Sequence, residues 1–189
     1  RLSNLPVVGA YFKAVTFRSY SYSDSRHDAD ITMPKIISGS KDESGDTLAE
    51  VNTDIEKTVA KLTEEFKQSL ETDGVKTTKV DYSVITDDEN WYCIRLSMFE
   101  AEASGYEHAK YYTIDKKTGN LATLEQVFGS PDYITAISNQ IKKQMRSQMA
   151  ADENVSYMLD SEFPEDDFHA IDDDTQFYIN PSGELVIYF

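Results

Sequence analysis

Cysteine is almost missing from this chain. Cys93 stands alone among 189 residues, so no internal disulfide can form, and no Cys/His ligand spacing surrounds it to make a zinc site. The redox compartment is left open by that count. Histidine is scarce at 3, and glycine (8) and proline (5) are few; apart from one acidic stretch there is no low-complexity tract, and no internal repeat. Long apolar runs are lacking too. The best, Leu5 to Val15, is broken by Pro6, Gly9 and Lys13, well short of the ~20 apolar residues of a membrane span. Positive charge is also short, with 18 Lys and Arg against 34 Asp and Glu and a net charge of −16, which repels nucleic acid and argues against it as a partner. What is plentiful is aromatic surface, 12 Tyr, 9 Phe and 1 Trp, within a hydrophobic fraction of 40%. A chain of this size buries roughly 70% of its unfolded surface, which excludes disorder throughout. The length suits one domain or two halves sharing a core.

Hydrophobic periodicity sets out the elements. Leu5, Val8, Phe12 and Val15 recur at helical spacing and predict a short amphipathic helix. Phe17–Tyr22 and Ala29–Met33 alternate as strands around a polar connection and predict a hairpin, with Pro34 ending the second strand or marking an edge. Thr47 and Glu50 have capping-box spacing, and Leu48, Val51, Ile55, Val59, Leu62, Phe66 and Leu70 form one stripe, predicting a long helix from about Thr47 to Asp73. A three-strand meander follows over Thr77–Thr86, Trp91–Glu102 and Glu107–Asp115, with Tyr92, Ile94, Leu96 and Met98 on the core face of its middle strand. A second helix is predicted over Pro131–Ala151, its stripe made by Ile134, Ile137, Ile141, Met145 and Met149. Asp160–Asp174 is an acidic loop, eight of its 15 residues Asp or Glu, with Phe163, Phe168 and Ile171 as apolar anchors. The turn Asn180–Gly183 between Gln176–Ile179 and Leu185–Phe189 predicts a final hairpin. The fold expected is α+β: an antiparallel sheet built from N-terminal hairpin, meander and C-terminal hairpin, packed by two main amphipathic helices. Residues 1–75 form an N-terminal subdomain and 76–189 a C-terminal one, in a single compact unit.

Catalytic constellations are hard to assemble from these residues. There is no Gly-x-Ser-x-Gly elbow, and His27, His108 and His169 fall in loop or edge contexts. Cys93 reads as a buried structural thiol. Thr86-Asp87-Asp88 is similar to the metal-binding acid pair of polysaccharide deacetylases, but the paired histidines that complete such a site are missing. Asp166-Asp167 and Asp172-Asp173-Asp174 lack the ligand alternation of a calcium loop. Lys142, Lys143 and Arg146 read as salt-bridge partners for neighbouring carboxylates. The chain is therefore read as a non-enzyme with no cofactor and no metal, and its profile suits recognition, with Tyr106, Tyr111, Tyr112, Tyr157 and Tyr178 as candidate contact residues.

Several stretches carry a resemblance: Ala29–Ile36, Tyr112–Asn120 with Thr123-Leu124, Gln176–Asn180 with Gly183–Phe189, and near the start Leu5–Gly9 and Thr16–Tyr20. Taken in order they resemble the paired uncharacterised domains of the extracytoplasmic part of RsiV-type anti-sigma factors of Firmicutes, a pair also found beside polysaccharide deacetylase domains. The resemblance implies an α+β fold and a sensor whose best-known relative binds lysozyme, exposing the anti-sigma factor to proteolysis that releases its sigma factor. Where lysozyme-sensing relatives have a Gly-Gly-Ala-His-Gly stretch, this chain has Ala103–Ala109. A membrane anchor is expected only in a segment preceding Arg1, which is not an initiator Met. The alternative reading is a non-catalytic accessory module of a cell-wall-modifying protein. The expected ligand is a basic, lysozyme-like protein docking at Ser104, Gly105, Tyr106, Glu107 and His108, drawn by Asp166, Asp167, Asp172 and Asp173. Oligomeric state is left open.

Overall fold

The fold is described from a computed structural model over residues 11–39 and 45–189. Its elements run β1 (Phe12–Ser23), β2 (His27–Ser38), α1 (Gly45–Ser69), β3 (Lys76–Asp87), β4 (Trp91–Ala101), β5 (Gly105–Asp115), α2 (Leu124–Phe128), α3 (Tyr133–Ala151), a short 3-10 turn (Pro164–Asp166), β6 (Gln176–Ile179) and β7 (Leu185–Tyr188). Five strands form one sheet in the order β1-β2-β3-β4-β5, and β6 and β7 pair as a separate hairpin. The fold class is α+β, as expected. Contacts divide the chain into two units, one of Arg1–Leu121 with Gln176–Ile187 and one of Ala122–Thr175 with Tyr188–Phe189.

In the first unit the long stripe behaves as its spacing requires. Leu48, Val51, Ile55, Val59, Leu62 and Phe66 are all buried, and they meet Ile31, Val80, Ile94, Leu96 and Met98 from the sheet in a single core. Thr47 lies inside the first turn of α1 and donates to Asn120 Oδ1 at 3.0 Å. The helix ends by tightening, with Leu70, Glu71 and Thr72 amides bonding three residues back.

Two expectations are corrected. Phe12 and Val15 belong to strand β1, not to a helix, and the remaining residues of that expected helix, Leu5 and Val8, lie outside the described residues. The sheet is not antiparallel throughout: β2 and β3 pair in parallel over His27–Ile31 and Lys76–Val80. The cause is α1, a crossover long enough to bring the chain back in the same direction, which a tight turn cannot do.

The first hairpin is bent. Register shifts between Thr16 and Arg18, leaving Phe17 as an extra residue opposite the Pro34–Met33 step. Beyond the bend Phe12 lies 5.7 Å from the Tyr92 ring and Thr16 shares a hydrogen bond with Tyr82, so the far half of the hairpin folds over the sheet. Pro34 does not end β2. It sits past the last β2–β3 pair, where that side of β2 has become an edge and a missing N–H costs no ladder bond. Two residues on, Asn52 of α1 closes the same edge, accepting from Ile36 N at 2.8 Å and donating to Ile36 O at 2.9 Å.

The other face of β4 is covered as well. Thr86 and Thr113 donate to the carbonyls of Ile179 and Phe177, and Tyr111 stacks on Tyr178 at 4.8 Å, so the β6–β7 hairpin lies over β3–β5 on the side away from α1. Cys93 is consequently buried, a free thiol whose pKa burial pushes up. The hairpin turns where expected, on Gly183 in the left-handed region at φ 80°.

In the second unit Thr123 and Gln126 cap α2 reciprocally and Gly129 closes it at φ 74°. In α3, Tyr133, Ile137, Ser138, Ile141 and Met145 are buried. Arg146 holds Asp160 with two hydrogen bonds, at 2.8 and 3.1 Å.

Candidate docking groove beside Tyr106

Strand alternation decides which predicted residues meet. Glu100 pairs with Tyr106 and Met98 with His108, so these four share the face on which α1 lies, while Glu107 pairs with Phe99 on the opposite face. Between α1 and the ends of β3–β5 this leaves a groove of about 800 Å³, lined by Thr58, Lys61 and Glu65 from the helix, by Lys76, Glu100, Tyr106, His108 and Lys110 from the sheet, and by Glu102 and Ser104 from the β4–β5 connection. Ser104, Tyr106 and His108 therefore line one groove. Glu107 does not join them and instead binds Arg95 at 2.7 Å.

The connection expected between strands ending at Glu102 and starting at Glu107 becomes the three residues 102–104, because β4 ends at Ala101 and β5 begins at Gly105. Glycine there reads as a loop residue in sequence, yet its role is close approach: a Cβ at Gly105 would lie 2.9 Å from Cζ of Phe99. Tyr106 is thus a strand residue with a fixed backbone. Its ring is 57% exposed and stacks on His108 at 5.5 Å, and its hydroxyl donates to Glu100 Oε1 at 2.9 Å. That bond to a carboxylate raises the Tyr106 pKa.

The floor of the groove is a buried ion pair. Lys76 and Glu100 are only 9% and 7% exposed; Lys76 Nζ lies 3.3 Å from Glu100 Oε2 and 3.3 Å from Glu102 Oε1. Burial alone would lower the Lys76 pKa, but the two carboxylates outweigh it and hold the ammonium above its ordinary value. Further along, Asp54 of α1 accepts from Lys110 at 3.1 Å and from the Tyr112 hydroxyl at 2.7 Å. Those two donors overcome partial burial and hold Asp54 below its ordinary pKa. Lys76, Glu100 and Asp54 were missed in sequence. Glu100 was within reach: it continues the alternation of Tyr92, Ile94, Leu96 and Met98 and so had to face the core. The site offers an open aromatic ring, its hydroxyl anchored, framed by lysines and carboxylates in near balance.

The four expected acids belong to the second unit. Asp166 ends the 3-10 turn and is exposed; Asp167 accepts from Ser161 N at 3.1 Å; Asp172 pairs with Thr175; and Asp173 accepts from the Tyr133 hydroxyl. They are partly occupied in holding their own loop. Among the described residues no group of three or more His, Cys, Asp or Glu is placed to hold a metal ion, and no helix is long and apolar enough to cross a membrane.

Residues 125–189, which contain α3, the acidic loop and the last hairpin, match the family described as Protein of unknown function (DUF3298). Over its whole length the chain is 34% identical to the anti-sigma-V factor RsiV of Bacillus subtilis, and it spans 65% of that protein. The resemblance read from the sequence stands on that alignment. A crystal structure of a DUF3298 family member from Bacteroides fragilis superposes with a TM-score of 0.55 at 12% identity, covering 95% of this chain and 90% of that one, which extends the likeness to the fold.

Proposed function

We propose that this chain is the extracytoplasmic sensor region of a membrane-anchored anti-sigma factor, and that it acts without catalysis by binding a basic protein such as lysozyme. The alignment with an anti-sigma-V factor along every part of the chain carries this reading. The groove supplies a means. Tyr106 presents a rigid aromatic surface whose polar tip is already satisfied by Glu100, so burying the ring under a partner strands no hydroxyl. The net charge of −16 attracts a cationic protein at long range, and because the Debye length is about 8 Å at physiological salt, that attraction weakens as salt rises. Exposed Asp166, Asp172 and Asp173 contribute to the field.

The test is a titration of lysozyme into the chain at low and moderate salt, beside Tyr106→Ala. Binding that weakens with salt, and by about tenfold or more in the variant, is expected if the ring is a hot spot. Binding at neither salt, or binding indifferent to both salt and Tyr106, ends the proposal.

A further inference from the structure

The sheet has an edge that the other described residues leave open. Lys76 N donates to Arg26 O, which in a parallel ladder turns the backbone groups of Asp28 and Asp30 toward β3 and those of His27, Ala29 and Ile31 toward β1. Tyr22 and Tyr20, opposite Ala29 and Ile31, therefore carry the β1–β2 hydrogen bonds. The N–H and C=O groups of Ser19, Ser21 and Ser23 point outward from the end strand of the sheet, and these three residues are exposed. Among the described residues no side chain bonds these backbone groups.

Other edges are treated differently. Beyond Ile31 the open side of β2 is blocked by Pro34 and by the Asn52 amide, and on β5 the Tyr111 amide is taken by Gln176 at 2.9 Å. Proteins commonly blunt exposed edges in such ways. Over Ser19–Ser23 there is no proline, no bulge and no charged side chain, and the strand is held in place from beneath: Tyr20 and Tyr22 pack edge-on against Phe66 at 6.1 and 5.9 Å. A docking strand would meet a template already ordered.

We propose that the outer edge of β1 over Ser19–Ser23 takes an added strand from an extended, cationic segment of a partner protein. Charge selects this occupant. Asp28 and Asp30 stand opposite Ser23 and Ser21 on the face away from α1, with Asp24 at the end of the strand; of these, Asp28 is paired with Lys79 at 3.9 Å. An added strand lies about 4.8 Å outside β1, so a lysine or arginine on it reaches across the small serine side chains to these carboxylates. A second copy of the chain brings a further −16 and is disfavoured. This edge is independent of the Tyr106 groove.

The experiment is amide hydrogen exchange by NMR with a short peptide alternating lysine and valine, and with its glutamate–valine counterpart. The lysine peptide is expected to slow exchange at Ser19, Ser21 and Ser23, the glutamate peptide not. Ser21→Pro removes an outward N–H without touching a β1–β2 bond and should weaken the lysine peptide; Asp28→Asn with Asp30→Asn leaves the backbone intact and should weaken it about fivefold. Tyr106→Ala should leave it unchanged. No protection by either peptide, equal protection by both, or a dimer of the chain that Ser21→Pro dissolves overturns the proposal.

Discussion

The first unit is held by apolar side chains arriving at regular intervals, whereas the second owes much of its order to polar groups that reach back to the chain. In the first, Phe66 is fully buried, and Tyr20, Tyr22 and the ring of His27 pack edge-on against it. In the second, the acidic loop is tied by Ser138 Oγ, which accepts from Ile171 N at 3.0 Å, by Arg146 on Asp160, and by Tyr133 on Asp173. Burial scales with area and tolerates modest shifts, while a buried hydrogen bond depends on two atoms. The acid-rich segment, poor in apolar residues, is left with the second strategy.

The comparison can be broken by substitution. Phe66→Ala should cost about 3–5 kcal/mol in urea unfolding, read from β2–β4 amides, because it opens a cavity beneath three rings; a shift near zero would remove Phe66 from the core. Ser138→Ala strands a buried amide and should cost about 1–3 kcal/mol, read from the Ile171 region; a neutral result would mean that the loop is not pinned there. The smallest effect expected is on pH dependence. The amides of Arg26 and His27 hold the Asp24 carboxyl down to about 2. A depressed carboxyl stabilises fully above its ordinary value of 3.8, and that contribution is lost as pH falls through about 2. Asp24→Asn should flatten the acid limb of the stability curve in that window, and an unchanged limb would dismiss the turn as a contributor.

Much of this architecture was legible. The α1 stripe and the core face of β4 were read residue by residue, since periods of 3.6 and 2 are imposed by backbone geometry wherever one face is buried. The α2 helix was missed although Thr123, Gln126 and Gly129 carry its caps, because five residues are too few to show a period. The parallel pairing of β2 and β3 depends on which strands meet across a long crossover, and nothing local records that. At the groove, Tyr106 was named but left between two strands, since Gly105 imitates a turn; the Phe99 ring that a Cβ at Gly105 would meet sits on the neighbouring strand. Lys76 escaped because a charged residue at a strand start reads as solvated, and only the tertiary fold supplies Glu100 and Glu102.

The parallel join also bears on how the chain finds its fold. The β1–β2 hairpin and the β3–β5 meander each close short turns, so their partners meet by local diffusion. The seam between them engages five residue pairs, His27–Ile31 with Lys76–Val80, and all of α1 must be gathered in before the first pair forms. Loop-closure entropy is spent early there and rewarded late. The two ribbons are thus the natural early structures, and the zipping of this seam, with α1 settling across it, is the slow event that commits the first unit to its native topology.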